Sequence, residues 1–80
     1  MKPNDAVLIG RQFVGTVVEF RGDRGFGFVT ADALRNERKI FIHANQCRER
    51  ALAKGLRVRY TVDAGRLPGT IQAVRVQVLP

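Results

Sequence analysis

The chain has 80 residues, of which 14 are Lys or Arg and 7 are Asp or Glu, giving a net charge of +7 and a sequence pI near 11.1. Its length suits one compact domain with one core and leaves no room for a separate catalytic domain, and no apolar run approaches the roughly 20 residues of a membrane-spanning helix. The charge excess predicts a polyanionic partner, and because 11 of the 14 cations are arginine, which grips phosphate bidentately and stacks on bases, nucleic acid is favoured over an anionic membrane surface.

Residues 1–12 begin with a polar stretch, Met1 to Asp5, followed by the apolar Ala6-Val7-Leu8-Ile9. That run is too short for a secretory segment, so no export signal is expected. We take residues 1–12 as an N-terminal extension and residues 13–80 as the domain.

From Phe13 onward, short β-branched and aromatic runs are separated by Gly, Asp and Asn clusters, the pattern of an all-β fold. Strands are predicted at Phe13–Phe20, Gly25–Thr30, Arg38–His43, Leu56–Val62 and Thr70–Leu79, a number and spacing that suit a small five-stranded antiparallel barrel. The short turn Arg21-Gly22-Asp23-Arg24-Gly25 predicts a hairpin between the first two strands. Asp23 and Asp32 fall in or beside turns, where Asp commonly satisfies backbone donors.

In the second predicted strand Gly27 and Val29 share one face, and Phe26 and Phe28 the other. In the third, Ile40 and Ile42 oppose Phe41 and His43. Val17, Val29, Ile40, Ile42, Val58 and Val74 are the expected interior, which leaves Phe26, Phe28, Phe41 and His43 together on the outside of adjacent strands. Rings so placed, rimmed by Arg21, Arg24 and Lys39, form a stacking platform for single-stranded bases with cations for the phosphates. The competing assignment, that the Phe residues are core, is opposed by Gly27: it provides no interior side chain between two rings.

The segment Ala44 to Gly55 carries Cys47, Arg48, Glu49, Ala51, Leu52 and Lys54, a composition that permits a helical turn. Cys47 is the only cysteine and His43 the only histidine, so neither an internal disulfide nor a structural zinc site can form, and a reducing, cytoplasmic setting is expected. Cys47 reads as a packing residue. His43 has no carboxylate, thiol or second histidine beside it in the pattern, so no enzyme, metal, cofactor or small-molecule substrate is predicted. Further on, Val58, Tyr60 and Val62 alternate with Arg57, Arg59 and Thr61, and Val74, Val76 and Val78 with Arg75 and Gln77. The outward arginines are either solvated charge or a second phosphate track.

Two strings carry a family resemblance. Arg24-Gly25-Phe26-Gly27-Phe28-Val29 is similar to an RNP1 motif and Ile40-Phe41-Ile42-His43 to an RNP2 motif. RNA recognition motif domains place RNP2 first and separate their strands with helices. Here RNP1 comes first, with about ten residues between the two, which resembles the cold shock domain family. Gly15-Thr16-Val17 ahead of Phe20, and the Gly65 to Gly69 turn before the last strand, agree with it.

The resemblance implies an OB-type barrel that binds single-stranded RNA or DNA with little sequence preference, as an RNA chaperone or a regulator of transcription or translation. It puts base-stacking roles on Phe26, Phe28, Phe41 and His43, with Phe20 as a fifth, and places Arg24 where the family usually has Lys. The chain departs from the family pattern at Glu19, which stands in place of a Trp, and at Ala44, in place of the aromatic that commonly follows the RNP2 histidine. Each base–aromatic stack is worth roughly 1 to 3 kcal/mol, so a weaker, more salt-sensitive binder is expected. The alternative is a degenerate barrel that docks an acidic protein through its basic surface.

Overall fold

The β-branched and aromatic runs form strands in the computed structural model, which describes residues 5–34, 38–49 and 52–80. In chain order they are β1 Gln12–Arg21, β2 Phe26–Val29, β3 Ile40–His43, β4 Arg57–Ala64 and β5 Ile71–Val78. They close into a barrel with the neighbour order β1-β2-β3-β5-β4, β4 pairing back onto β1. Among the described residues no helix is long and apolar enough to cross a membrane.

One pairing departs from the antiparallel expectation: β3 and β5 run parallel, with Phe41 opposite Gln72 and Ile42 opposite Ala73. A parallel pair needs a crossover between its strands. Here β4 lies between β3 and β5 in sequence, so β5 re-enters beside β3 in the same direction.

Of the six expected interior residues, Val74 is buried on the outer face of β5 opposite Thr61, and the other five, Val17, Val29, Ile40, Ile42 and Val58, lie in the core. Tyr60 joins them at the centre with no exposed surface, and its hydroxyl donates to the Thr30 carbonyl at 2.8 Å. Desolvation, more than the nearby Asp32 charge, pushes its phenol pKa well above the ordinary value.

The alternation is broken twice, each time by a one-residue bulge. In β5, Arg59 faces Gln77 and Thr61 faces Val74, so Arg75 and Val76 together oppose Tyr60. Arg75 takes the left-handed backbone conformation with φ 51°. Ala73, opposite Val62, faces inward, whereas Val74, opposite Thr61, lies on the outer face, and the extra residue returns Val76 to the interior. In β1, Val17 pairs with Val29 and Glu19 with Phe28, which leaves Val18 unpaired. Beyond Val18 the faces of β1 are exchanged.

At this second bulge β1 runs close over β2. A Cβ on Gly27 would lie 2.0 Å from the Glu19 carbonyl oxygen and 2.7 Å from the Phe20 Cα. Only glycine allows that approach.

Residues 5–11, read from sequence as part of an extension, are packed on the barrel. Asp5 is buried and paired with Arg38, at 2.5 and 2.6 Å to the two guanidinium nitrogens. Leu8, in a short 3-10 turn Ala6–Leu8, joins the core. The Gly10 amide donates to the Val62 carbonyl at 2.8 Å, and Val62 returns a bond to the Arg11 carbonyl at 2.9 Å. The physical reason is the sum of these contacts: Leu8 burial contributes roughly 1.5–3 kcal/mol, and the Asp5–Arg38 pair and the backbone bonds to Val62 add to it against the entropy of ordering the segment. Residues 1–4 of that extension lie outside the described residues, as does Ala51 of the segment that permits a helical turn. The turn itself is a 3-10 turn at Ala44–Gln46, ahead of Cys47.

The β1–β2 crossing predicts a sharp contrast between glycines. Gly27→Ala should lower the free energy of unfolding by about 3 kcal/mol, because a methyl group there meets backbone that cannot move aside. Gly22→Ala, with nothing within 4 Å of the new Cβ and no positive φ, should change it by less than about 1 kcal/mol. Denaturant melts of the two variants check this, and equal effects would disprove the close crossing.

Candidate nucleic-acid interface

The hairpin that joins β1 to β2 is closed by Arg21, whose carbonyl accepts the Arg24 and Gly25 amides at 3.1 and 2.8 Å. Gly25 sits at φ 74°, a conformation that side chains disfavour, and this turn delivers Phe26 to the outer face of β2. Phe26 then lies opposite His43 and Phe28 opposite Phe41. Directly opposed residues share a face, so the register brings all four rings together.

Phe26 and Phe41 stack with centroids 5.7 Å apart and planes at 24°, while Phe28 meets Phe41 edge-on at 6.1 Å and 80°. Phe41 is thus the hub. Each of the four rings is half-buried, so each keeps part of its surface open to solvent. The His43 ring lies against Gly25, where a Cβ would come within 3.6 Å of Cε1. Its Nδ1 accepts the Asn45 backbone N–H at 3.1 Å, which places the proton of a neutral imidazole on Nε2.

Of the rim cations, Arg24 lies over the Phe26 ring at 5.8 Å, a cation–π contact that holds its charge at the platform. Arg21 is opposite Phe26 and therefore on the ring face, paired loosely with Asp23 at 3.9 Å. Lys39 is exposed at the start of β3.

Phe20 does not join these rings. The bulge at Val18 puts it opposite Gly27, on the inner face, where it packs against the core. Strict alternation from Val17 would have turned it outward. The same bulge brings Glu19 to the ring face opposite Phe28, with its side chain exposed.

Two features near the rings were not legible in the sequence. Phe41 also lines a groove of about 510 Å³ with Arg66, Leu67, Thr70, Ile71 and Gln72, and Leu67 in the β4–β5 connection is 70% exposed. The parallel β3–β5 pairing creates this neighbourhood. The only sequence signal was an apolar residue inside a Gly- and Pro-containing turn.

The remaining candidates fall elsewhere. Arg57 engages Asp32 with both terminal nitrogens, one of them at 2.9 Å, and also donates to the Thr16 hydroxyl at 2.9 Å. Asp32 therefore serves Arg57 rather than a turn amide, and the hydrogen bonds from Arg57 hold its carboxyl below the ordinary value of 3.8. Cys47 is buried beside Val76. Among the described residues no cluster of three or more His, Cys, Asp or Glu side chains is arranged to hold a metal ion.

Comparison with known proteins bears on this arrangement. The sequence model of the 'Cold-shock' DNA-binding domain matches residues 13–79. Among solved structures, Drosophila Unr CSD456 is similar in fold, with a TM-score of 0.66 and 22% identity, over 100% of this chain and 32% of that one. The chain thus spans about a third of the Unr chain it matches. A search of curated proteins found no match.

The Asp32–Arg57 pair predicts a pH response. Because the folded-state pKa is depressed, the pair stabilises the protein above the unfolded carboxylate range and loses that effect as pH falls through the folded pKa. A carbon-13 NMR titration should show the Asp32 carboxyl with a midpoint below 3.8 in the native protein, returning towards 3.8 in Arg57→Ala. An unchanged midpoint in the variant would mean that Arg57 does not hold the carboxylate.

Proposed function

Because the chain belongs to the 'cold-shock' DNA-binding domain family, whose members generally bind nucleic acid, we propose that it binds single-stranded RNA or DNA by stacking bases on Phe26, Phe28, Phe41 and His43. The binding unit is the domain of residues 13–80, with Gln12 opening β1 and residues 5–11 docked on the barrel. Its role is that of an RNA chaperone or a regulator of transcription or translation, acting by binding and not by chemistry. The observation that carries the proposal is the hub at Phe41: three phenyl rings and an imidazole, half-buried on adjacent strands, with Arg24 laid over one of them.

A half-buried ring supported from behind by a neighbouring ring is already ordered. A base therefore stacks on it without immobilising another side chain, which reduces the entropic cost of binding. Every base has a π-face, so stacking tolerates sequence. The phosphates of the same strand then pass Arg21, Arg24 and Lys39. His43 presents Nε2–H as a donor to base or phosphate oxygens. Phe20 provides no stack because it faces the core, and Ala44 has no ring to offer.

Three rim cations neutralise about three phosphates, and each contributes roughly −0.7 to the slope of log K against log salt for single strands, so titrations with oligo-dT and oligo-U should give about −2. A salt-independent affinity would remove the phosphate role of the rim.

Phe41→Ala should weaken single-strand binding by roughly 1 to 3 kcal/mol. Its effect on stability should stay below the roughly 3 to 5 kcal/mol of deleting a core Phe. Ile40→Ala, from the inner face, should instead lose about 2 to 5 kcal/mol of folding stability. Melts and one titration for each variant decide the matter. If Phe41→Ala binds single strands as the native protein does, the rings are not the site, and docking of an acidic protein becomes the better reading.

A further inference from the structure

The bulge at Val18 has a second effect besides turning Phe20 inward. It sets Glu19 beside Phe28 on the ring face, and directly opposed residues on one face have Cβ atoms about 4.5–5.5 Å apart. Among the described residues the Glu19 side chain makes no hydrogen bond or ion pair, while its neighbour Arg21 pairs with Asp23. Nothing among the described residues uses this carboxylate. It is exposed, next to a ring, on a platform otherwise rimmed by cations.

We infer that Glu19 reads the edge of the base stacked on Phe28 and makes that position prefer guanine, an inference that rests on the stacking function proposed above. An ionised carboxylate only accepts hydrogen bonds, through two oxygens held side by side. In an unpaired strand the Watson–Crick edges of the bases are open to side chains. Guanine presents two adjacent donors there, N1–H and N2–H, which match the two oxygens as a bidentate, charge-assisted pair. Cytosine and adenine each present one amino donor next to a ring-nitrogen acceptor. Thymine and uracil present one N–H between two carbonyl oxygens, both of which repel the carboxylate. The order at Phe28 is therefore guanine first, cytosine and adenine next, and thymine and uracil last.

The next position along the platform has the opposite character. Phe26 is flanked by Arg21 across the strand pair and covered by Arg24, so a base there meets donors and positive charge. The platform is thus polarised along β2, with acceptors at Phe28 and donors at Phe26. A strand binding to it is read in one direction by the two ends.

The test measures affinities for a short oligo-dT strand and for the same strand with one central thymine replaced by guanine, cytosine or hypoxanthine. A good bidentate contact discriminates by 1–3 kcal/mol, so the native protein should bind the guanine strand about tenfold more tightly than oligo-dT. Hypoxanthine, which lacks the N2 amino group, should lose most of that gain. In Glu19→Ala the guanine preference should fall to within about twofold, while oligo-dT binds slightly better because a charge that repels phosphate is gone. Glu19→Gln, which keeps one acceptor and adds a donor, should lie between. Equal preferences in the native protein and Glu19→Ala, with all affinities rising together, would overturn the inference and leave Glu19 as a source of repulsion only. Failure of the stacking reading looks different: no strand binds the native protein, or Phe41→Ala leaves oligo-dT binding unchanged, and the inference then falls with it. Thermal melts of each variant confirm that this exposed substitution leaves the barrel folded.

Discussion

At Gly27 the backbone of β1 lies directly on β2, so close that a single methyl group would collide with the Glu19 carbonyl and the Phe20 Cα. The ring face depends on this contact. It lets the long first strand bend from its pairing with β4, over residues 12–16, to its pairing with β2, over residues 17–21. The extra residue at Val18 supplies the bend, and Gly27 supplies the space. Once β1 is seated this way, the Phe side chains on either side of Gly27 have no room inside and are held on the outer face by the pleat.

The interior explains why that face stays flat enough to serve as a platform. Val17, Val29, Ile40 and Ile42 line the inside of the three strands that carry or border the rings, and all four are essentially inaccessible to solvent. A tightly filled core does not let the strands above it shift, so ring spacing is set by strand spacing and not by side-chain wandering. Phe41 benefits most. Its strand is paired on both sides, antiparallel to β2 and parallel to β5, and its ring is braced by Phe26 and Phe28.

Charge is distributed with the same economy of placement. Arg57 is neutralised by Asp32 and Arg38 by Asp5, so these arginines serve the fold. Arg24 is laid on a ring and Lys39 stands exposed at the entry to β3. The net charge of +7 alone would not distinguish these uses. A cation committed to a carboxylate in hydrogen-bonding geometry has little left for a phosphate. The rim is therefore smaller than the composition suggests, and Glu19 gives its β1 side a local negative point.

Much of this architecture was legible in the sequence because a strand's side chains alternate with period 2, a local property that needs no knowledge of neighbours. The strands, five of the six expected interior residues, and the outward Phe26, Phe28, Phe41 and His43 all follow from it, while the bulge in β5 leaves Val74 on the outer face. Only the tertiary structure decided what depends on how strands meet. Bulges are made by the closing of the barrel, and the one at Val18 exchanged the faces of Glu19 and Phe20 without leaving a mark in the local pattern. The parallel seam between β3 and β5, the groove it builds beside Phe41, and the docking of Leu8 and Asp5 are contacts between segments far apart in the chain. Local periodicity determines which way a side chain points within its own strand, whereas strand register determines which side chains it meets, and register is set only when the whole barrel closes.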